Sequence, residues 1–314
     1  MEKICYMVLF SVCMSTAVLA QNLQTTVTAS ANGEHVYVAI GQPFFQQLVV
    51  GEYELSMGIA QAQWTRDTVY DVITYNTPYM ANQFTLPAQT DSHVDSTYLV
   101  NGGIYNYDLL RTLYLIVCPQ KVADYYSTIM YDVLAVSGHC WTKQNLRSPV
   151  EGAMSYTSLL HPSIPEEYGL LYTWYTAANA APDGTITLDA NGYVQGICPI
   201  NWHIPDAAEI GDLNTNISES LRSVDGWVLP NNNTNSTGFT AYPAGRFNAA
   251  LNRFEGFGTE TDWWTTVNAS TFGVATSHET SLQIPYYCDT PLLIPRLFND
   301  GMSVRCVMIN DWDF

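Results

Sequence analysis

Apolar residues at Ile210, Leu213, Ile217 and Leu221 recur at steps of three to four, with Asp212, Asn214, Asn216 and Glu219 mostly off that line. Such a stripe predicts one amphipathic helix packed on a sheet. Asp206 and Glu209 have the spacing of a capping box directly after Pro205, so the helix begins at Ala207. Upstream, residues 194–197 are apolar and β-prone and read as a strand running into that helix, while Pro199 and Pro205 exclude regular helix between them. Nearer the amino terminus the pattern is β. Residues 25–30 and 35–40 flank Asn32-Gly33, which suits a type I′ hairpin, and residues 46–50 and 52–59 flank Gly51. Residues 68–75, 95–100 and 109–117 are strand-like runs separated by Pro87, Asp91-Ser92 and Asn101-Gly102-Gly103. The last run is apolar on both faces and predicts a central strand.

This pattern divides the chain. Residues 21–63 form a β-hairpin module, residues 64–119 a small β-sandwich, residues 119–124 a linker, and residues 126–310 the major domain. The major domain opens with a strand at 130–136 and closes with one at 303–309. Within it, residues 225–238 and 277–300, the latter holding three prolines, show no periodicity and read as long loops of the functional kind. The fold class predicted is α+β, with small all-β modules ahead of the main domain.

Composition sharpens the setting. The chain has 314 residues, 47% of them hydrophobic, enough for a sizeable core. Its net charge of -18 arises from 11 Lys+Arg against 29 Asp+Glu, which argues against nucleic acid and anionic lipid as partners. Residues 1–20 begin with Lys3 in a short polar start, run apolar from 4 to 19 and end in Val18-Leu19-Ala20, the layout of a cleaved signal peptide. The apolar run is short of the roughly 20 residues that span a bilayer, so no transmembrane segment remains after cleavage. A membrane anchor and lipidation at Cys13 are the alternatives. The location implied is secreted or outer cell surface. Five cysteines then remain: Cys118, Cys140, Cys198, Cys288 and Cys306. The odd number leaves at least one free or intermolecular thiol, and none are spaced as a redox or zinc pair.

Cys198-Pro-Ile-Asn-Trp-His-Ile-Pro205 resembles the Cys-Pro-x-Gly-Trp-His-Val-Pro motif of the Fibrobacter succinogenes major paralogous domain, a family of surface and secreted proteins in Bacteroidetes and Fibrobacteres. Further matches follow in the family's order. They are Trp141-Thr-Lys-Gln-Asn-Leu146, Tyr168-Gly-Leu-Leu-Tyr-Thr-Trp-Tyr175, Phe239-Thr-Ala-Tyr-Pro-Ala-Gly-Arg246, Asp262-Trp-Trp-Thr-Thr266 and Ser303-Val-Arg-Cys306. The departures are Asn201 for glycine, Asp206 for threonine and Tyr242 for leucine. The resemblance implies a C-type-lectin-like fold related to that of the formylglycine-generating enzyme, in which first and last strands pair. It also favours a Cys198–Cys306 disulfide, since both cysteines lie inside the matching motifs. Residues 64–119 resemble the immunoglobulin-like repeats of Bacteroidetes surface proteins, with Gly103-Ile-Tyr-Asn-Tyr-Asp108 where those repeats carry a cysteine-containing turn.

The chemistry legible at this level is that of recognition. No His-Glu-x-x-His, no Asp-x-Asp-x-Asp loop and no Gly-x-Ser-x-Gly occurs, so no catalytic residue and no metal ligand is named. No cofactor is implied, although a calcium site built from loop Asp and Asn side chains is compatible with the acidic balance. Glu166-Glu167 reads as a solvated turn, and His203 as a buried histidine fixed by hydrogen bonds. Trp141, Trp174, Trp202, Trp263 and Trp264 read as core, and Arg305 as half of a buried pair with a carboxylate. Trp227 with Asn231, Asn232 and Asn233, together with Tyr286 and Tyr287, lies outside the matching motifs. Aromatic faces stack on sugar C–H faces while amides meet the hydroxyls, which makes these six the candidate ligand-binding residues. The function implied is non-catalytic binding or adhesion to a glycan or protein. The alternatives are an enzyme, thiol oxidase or glycan hydrolase, and a structural subunit joined through Cys140 or Cys288.

Overall fold

The computed structural model describes residues 28–32, 35–39, 46–50, 53–57, 65–99, 109–156, 165–228, 232–267 and 277–309. The leading residues 1–20, the Gly33 and Gly51 turns, the 101–108 turn and Asn231 lie outside them. The described residues fall into two compact units, one holding the first four strands and the other everything from Thr65 onward. In the first unit β1 (Thr28–Asn32) pairs antiparallel with β2 (His35–Ala39), and β3 (Gln46–Val50) with β4 (Tyr53–Met57).

The second unit opens with β5 (Thr65–Ile73), the hairpin of β6 (Thr77–Ala81) and β7 (Phe84–Gln89), β8 (His93–Leu99) and β9 (Leu109–Val117). β9 is central, parallel to β5 and antiparallel to β8, as its two apolar faces require. Tyr79, Phe84, Leu113 and Leu115 fill a small core there. The segment read as a linker is instead β10 (Lys121–Ala123), which pairs with β11 (Met130–Val136), itself paired with β12 (His139–Thr142). Buried Asp124 fixes this junction by accepting hydrogen bonds from the Tyr131 hydroxyl (2.8 Å) and from the Ser148 hydroxyl. Cys118, one residue past β9, is disulfide-bonded to Cys140 of β12. Val72, Ile116 and Cys118 share one core with Tyr131, Trp174, Trp202, Trp264 and the Cys198–Cys306 disulfide. The segment before the major domain therefore shares that domain's core.

The expected α+β class is overturned, because the second unit is predominantly β. Its helices are α1 (Trp174–Ala177), α2 (Ala207–Leu213) and α3 (Ser218–Leu221), with one 3-10 turn at Glu166–Tyr168. The capping box is present as the spacing requires, with the Asp206 carboxylate accepting from the Ala208 and Glu209 amides and Glu209 accepting from the Asp206 amide. The single long helix is not. Thr215 and Asn216 turn their side chains back onto the carbonyls of Asp212 (2.7 Å) and Leu213 (2.9 Å), which ends α2, and Ile217 becomes an exposed N-cap of α3. Ile210, Leu213 and Leu221 still pack with Leu134, Val136, Trp141 and Trp263. Residues 194–197 are not a strand. The strand at this place is β13 (Trp202–His203).

The remaining strands are β14 (Arg246–Asn248), β15 (Arg253–Glu255), β16 (Glu260–Trp264), β17 (His278–Pro285), β18 (Leu292–Leu297) and β19 (Val307–Met308). β17 and β18 occupy the stretch read as a second long loop. Pro285 ends β17, and Pro295 is tolerated because β18 is an edge strand of the β16-β17-β18 sheet. The first and last strands of the domain do not pair directly: β19 lies between β12 and β13, so β11 meets it only through its own hairpin partner.

Candidate functional site

The motif segments, dispersed in sequence, meet at Asn145. Its amide nitrogen donates to the Tyr168 carbonyl (2.9 Å) and the Ser303 hydroxyl (3.2 Å). Its oxygen accepts from the Trp263 indole N–H (2.7 Å) and from Arg305 Nε (2.9 Å). Arg305, 1% exposed, donates its other nitrogens to the carbonyls of Phe239 (2.5 Å) and Thr240 (2.9 Å) and lies over the rings of Phe239 and Trp263. The expected carboxylate partner is absent among the described residues: three neutral acceptors hold the guanidinium, and burial holds its pKa below the usual arginine range. Five motif segments, those of Asn145, Tyr168, Phe239, Trp263 and Arg305, are tied together by two side chains.

A polar cleft of about 350 Å³ opens beside this hub. Lys143 and Gln144 enter it just ahead of Asn145, Glu167 just ahead of Tyr168, and Thr240 and Tyr242 just after Phe239, while Asp225 and Asn235 come from the connection after α3. Thr240 has φ +55°, a strained value for a β-branched residue. The strain is held from three directions. Its N–H donates to Asn235 Oδ1 (2.8 Å), its hydroxyl accepts from Asn235 Nδ2 (3.0 Å), and its carbonyl takes Arg305. Tyr242 packs at a tilt against buried Tyr168, with ring centroids 5.0 Å apart. Burial, and then the Glu167 and Asp225 charges, raise the pKa of both phenols.

Gln144 is committed to Asp132, accepting from its amide and donating to its carboxylate. Other polar tips are not committed. Among the described residues, the Tyr242 hydroxyl, the Lys143 ammonium and the carboxylates of Glu167 and Asp225, all on the cleft lining, have no hydrogen-bond or ion-pair partner. These groups can donate to, and accept from, a hydroxylated ligand.

The residues singled out in the sequence are only partly at this site. Trp227 is a correction: it is 6% exposed, packs in the core beneath the loop, donates its indole N–H to the Ala241 carbonyl (3.0 Å) and carries Arg222 over its ring. Its apolar surface is consumed in anchoring the loop. Asn233 is likewise turned inward, donating to the Ser223 carbonyl (3.1 Å), whereas Asn232 is exposed and outside the cleft lining. Tyr286 and Tyr287 are exposed and meet edge to face at 5.4 Å just after β17, and the cleft lining does not include them.

His203 is buried, with Nε2 at 2.9 and 3.0 Å from the Glu209 oxygens and its ring stacked on Tyr193. Glu209 thus holds the histidine and caps α2 at once. The favoured Cys198–Cys306 pair is closed with a Cα separation of 5.8 Å. Cys140 is taken by Cys118, which leaves Cys288 as the free thiol among the described residues. Glu166 pairs with Arg147 at the surface, while Glu167, read with it as a solvated turn, faces the cleft. No group of three or more metal-ligating side chains occurs among the described residues, and no helix there is long and apolar enough to cross a membrane.

A family model described as the Fibrobacter succinogenes major domain matches residues 135–308. No curated protein and no solved structure matches the chain.

Proposed function

Because the chain belongs to the Fibrobacter succinogenes major domain family, we propose that it is a non-catalytic recognition module of a secreted or outer-surface protein, and that it binds a glycan in the cleft beside Asn145 and Arg305. The observation that carries this reading is the set of polar tips without protein partners, Tyr242, Lys143, Glu167 and Asp225, on a cleft whose wall is fixed from beneath by Arg305 and Asn235. A rigid wall lowers the ordering cost of binding. About 350 Å³ is within the ordinary size of small-ligand sites. Two disulfides support an oxidising compartment outside the cytoplasm.

Binding of the purified chain to a broad glycan panel, with and without calcium, tests the reading. Saturable binding to a related set of glycans is expected, weakened about tenfold by Tyr242→Phe, which removes one hydroxyl and leaves the ring contact with Tyr168 and the thermal midpoint in place. Absence of binding in both conditions, or binding indifferent to Tyr242→Phe and to Lys143→Ala alike, defeats it.

A further inference from the structure

We infer that Asp132, which lies outside the cleft and ahead of the matched residues 135–308, is the positioning residue that sets the Gln144 amide for ligand binding, so that the binding unit extends past the family domain. This rests on the glycan reading above and goes beyond it. Lys143 and Gln144 line the cleft directly after β12, and Asp132 on β11 holds both with every polar group it has. The last rung of the β11–β12 ladder pairs Val133 with Thr142. One step further, the Lys143 N–H donates to the Asp132 carbonyl (2.8 Å), but the Asp132 N–H donates to Gln144 Oε1 (2.8 Å) in place of a main-chain carbonyl. Gln144 Nε2 then donates to Asp132 Oδ2 (2.9 Å), and Oδ1 takes Lys121 Nζ of β10 (3.1 Å).

Contact at both ends fixes which way the amide faces. A side-chain amide has two N–H donors and an oxygen with two acceptor sites, and Asp132 uses one of each. The Gln144 amide has no other partner among the described residues, so one donor and one acceptor site remain for a ligand, a pair that matches two neighbouring hydroxyls of a sugar ring. The Gln144 hydrogen bond is the largest influence on the Asp132 carboxyl and holds its pKa below the usual carboxylate range, which keeps it a charged and strong acceptor. The segment ahead of the family domain anchors this arrangement in turn. Val133 N–H donates to the Gln120 carbonyl (3.2 Å), Ala135 N–H donates to Thr74 Oγ1 (2.9 Å), and the disulfide joins Cys118, just past β9, to Cys140 on β12. An amide already held in place costs less to order on binding than a rotating one. The cleft lining does not include Asp132, so its part is to orient Gln144 rather than to touch the sugar.

The test uses the full chain, the broad glycan panel and amide NMR. The two Nε2 protons of Gln144 should resonate away from the free-glutamine positions in the unaltered protein and return towards them in Asp132→Ala. On the panel, Asp132→Ala should weaken binding about threefold to fivefold, and Asp132→Asn, which keeps an oxygen for Gln144 Nε2 and loses the charge, should restore it to within about twofold. Gln144→Ala should weaken binding about fivefold to tenfold, and Asp132→Ala should add less than about twofold once the amide is gone, as a residue acting only through Gln144 requires. Both side chains are partly exposed, and thermal midpoints should stay within about 2 °C of the starting protein. An equal loss from Asp132→Ala with and without Gln144, or a loss in Asp132→Asn as large as in Asp132→Ala, overturns the inference and leaves the glycan reading standing. Free-glutamine resonances for Gln144 in the unaltered protein overturn it as well, whatever the panel returns. Resonances that move with Asp132 while no form binds any glycan overturn the glycan reading, and the binding role of Asp132 with it.

Discussion

Two arginines of the same domain, Arg296 half-buried and Arg305 fully buried, are held in opposite ways. Arg296 on β18 lies beside Asp262, which is fully buried on β16, with Nη2 at 2.8 Å and Nε at 3.2 Å from one carboxylate oxygen. Ser281 and Gln283 of β17 donate to the same carboxylate. Burial pulls the Arg296 pKa down, but the charge and hydrogen bonding of Asp262, followed by the charges of Glu260 and Asp300, outweigh it and set the pKa above the usual range. Arg305 is buried without such compensation and its pKa moves the other way. A cation paired with a side chain joins two strands and can be exchanged together with its partner. A cation held by backbone carbonyls is tied to the path of the main chain, here the Phe239–Thr240 wall of the cleft. The first serves the sheet; the second shapes the candidate binding surface.

The largest effect should fall on the arginines themselves. Arg305→Met leaves the Phe239 and Thr240 carbonyls without their donor and the Asn145 oxygen with the Trp263 indole alone, and is expected to cost about 3–5 kcal/mol in chemical denaturation. No second side-chain substitution should recover it, because the orphaned partners at Phe239 and Thr240 are main chain. Arg296→Met should cost a similar amount, since it strands a buried carboxylate. Adding Asp262→Leu, however, should bring stability back to within about 1–2 kcal/mol of the starting protein. Ser281 still has the Ile294 carbonyl and Gln283 still has Glu260 in that double variant. A double variant as unstable as Arg296→Met alone would erase the distinction.

The same contrast sets what could be read from the sequence. Local rules were sufficient where partners are near in the chain: Asp206 and Glu209 cap α2 as their spacing requires, and Asn201, at φ +65°, accepts the left-handed turn where the family motif has glycine. The Cys198–Cys306 pair was legible through the motifs that contain it. Periodicity failed where side chains compete with the backbone, as Thr215 and Asn216 do at the end of α2. It failed again where an edge strand tolerates proline, as β18 does at Pro295. The hub was hidden because Asn145 and Arg305 are joined only by the fold. The cleft residues have no period of their own, and their one sequence cue is adjacency: Lys143 and Gln144, Glu167, and Thr240 with Tyr242 flank or fall within motif segments. Trp227 misled because an aromatic in an aperiodic loop reads equally well as a ligand platform or as the anchor it is.

A smaller effect, visible mainly in its pH dependence, belongs to the paired cluster alone. Glu260 hydrogen-bonds Arg246 and Gln283, yet its pKa is raised, by burial first and by the charge of Asp262 second. For a carboxyl group with a raised folded-state pKa, the stabilising contribution is complete below the unfolded value, about 4.3, and is lost as pH rises through the folded value. Glu260→Gln copies the protonated form and should gain on the unaltered protein in thermal midpoint as pH increases from about 4 to 7. The gain should be well below the cost of either arginine substitution. A midpoint difference that is flat or shrinks with pH would mean that Arg246 and Arg296 already neutralise this carboxylate.

The smallest effect sharpens the comparison most directly, because it asks whether Arg305 holds the cleft wall or merely fills space. Left-handed Thr240 stores about 1 kcal/mol or more of backbone strain, sustained by the Arg305 hydrogen bond to its carbonyl and by Asn235 at its amide. Thr240→Gly removes the strain but also the hydroxyl that accepts from Asn235 and donates to the Gly238 carbonyl, so alone it should be close to neutral. In an Arg305→Lys background, where the fork-shaped donor is gone, the same glycine should recover about 0.5–1 kcal/mol, since the wall no longer needs to be forced into a conformation that threonine resists. Additive effects in that double-mutant cycle would show that Asn235 alone sustains the strained wall. Positive coupling would tie the buried cation to the shape of the cleft.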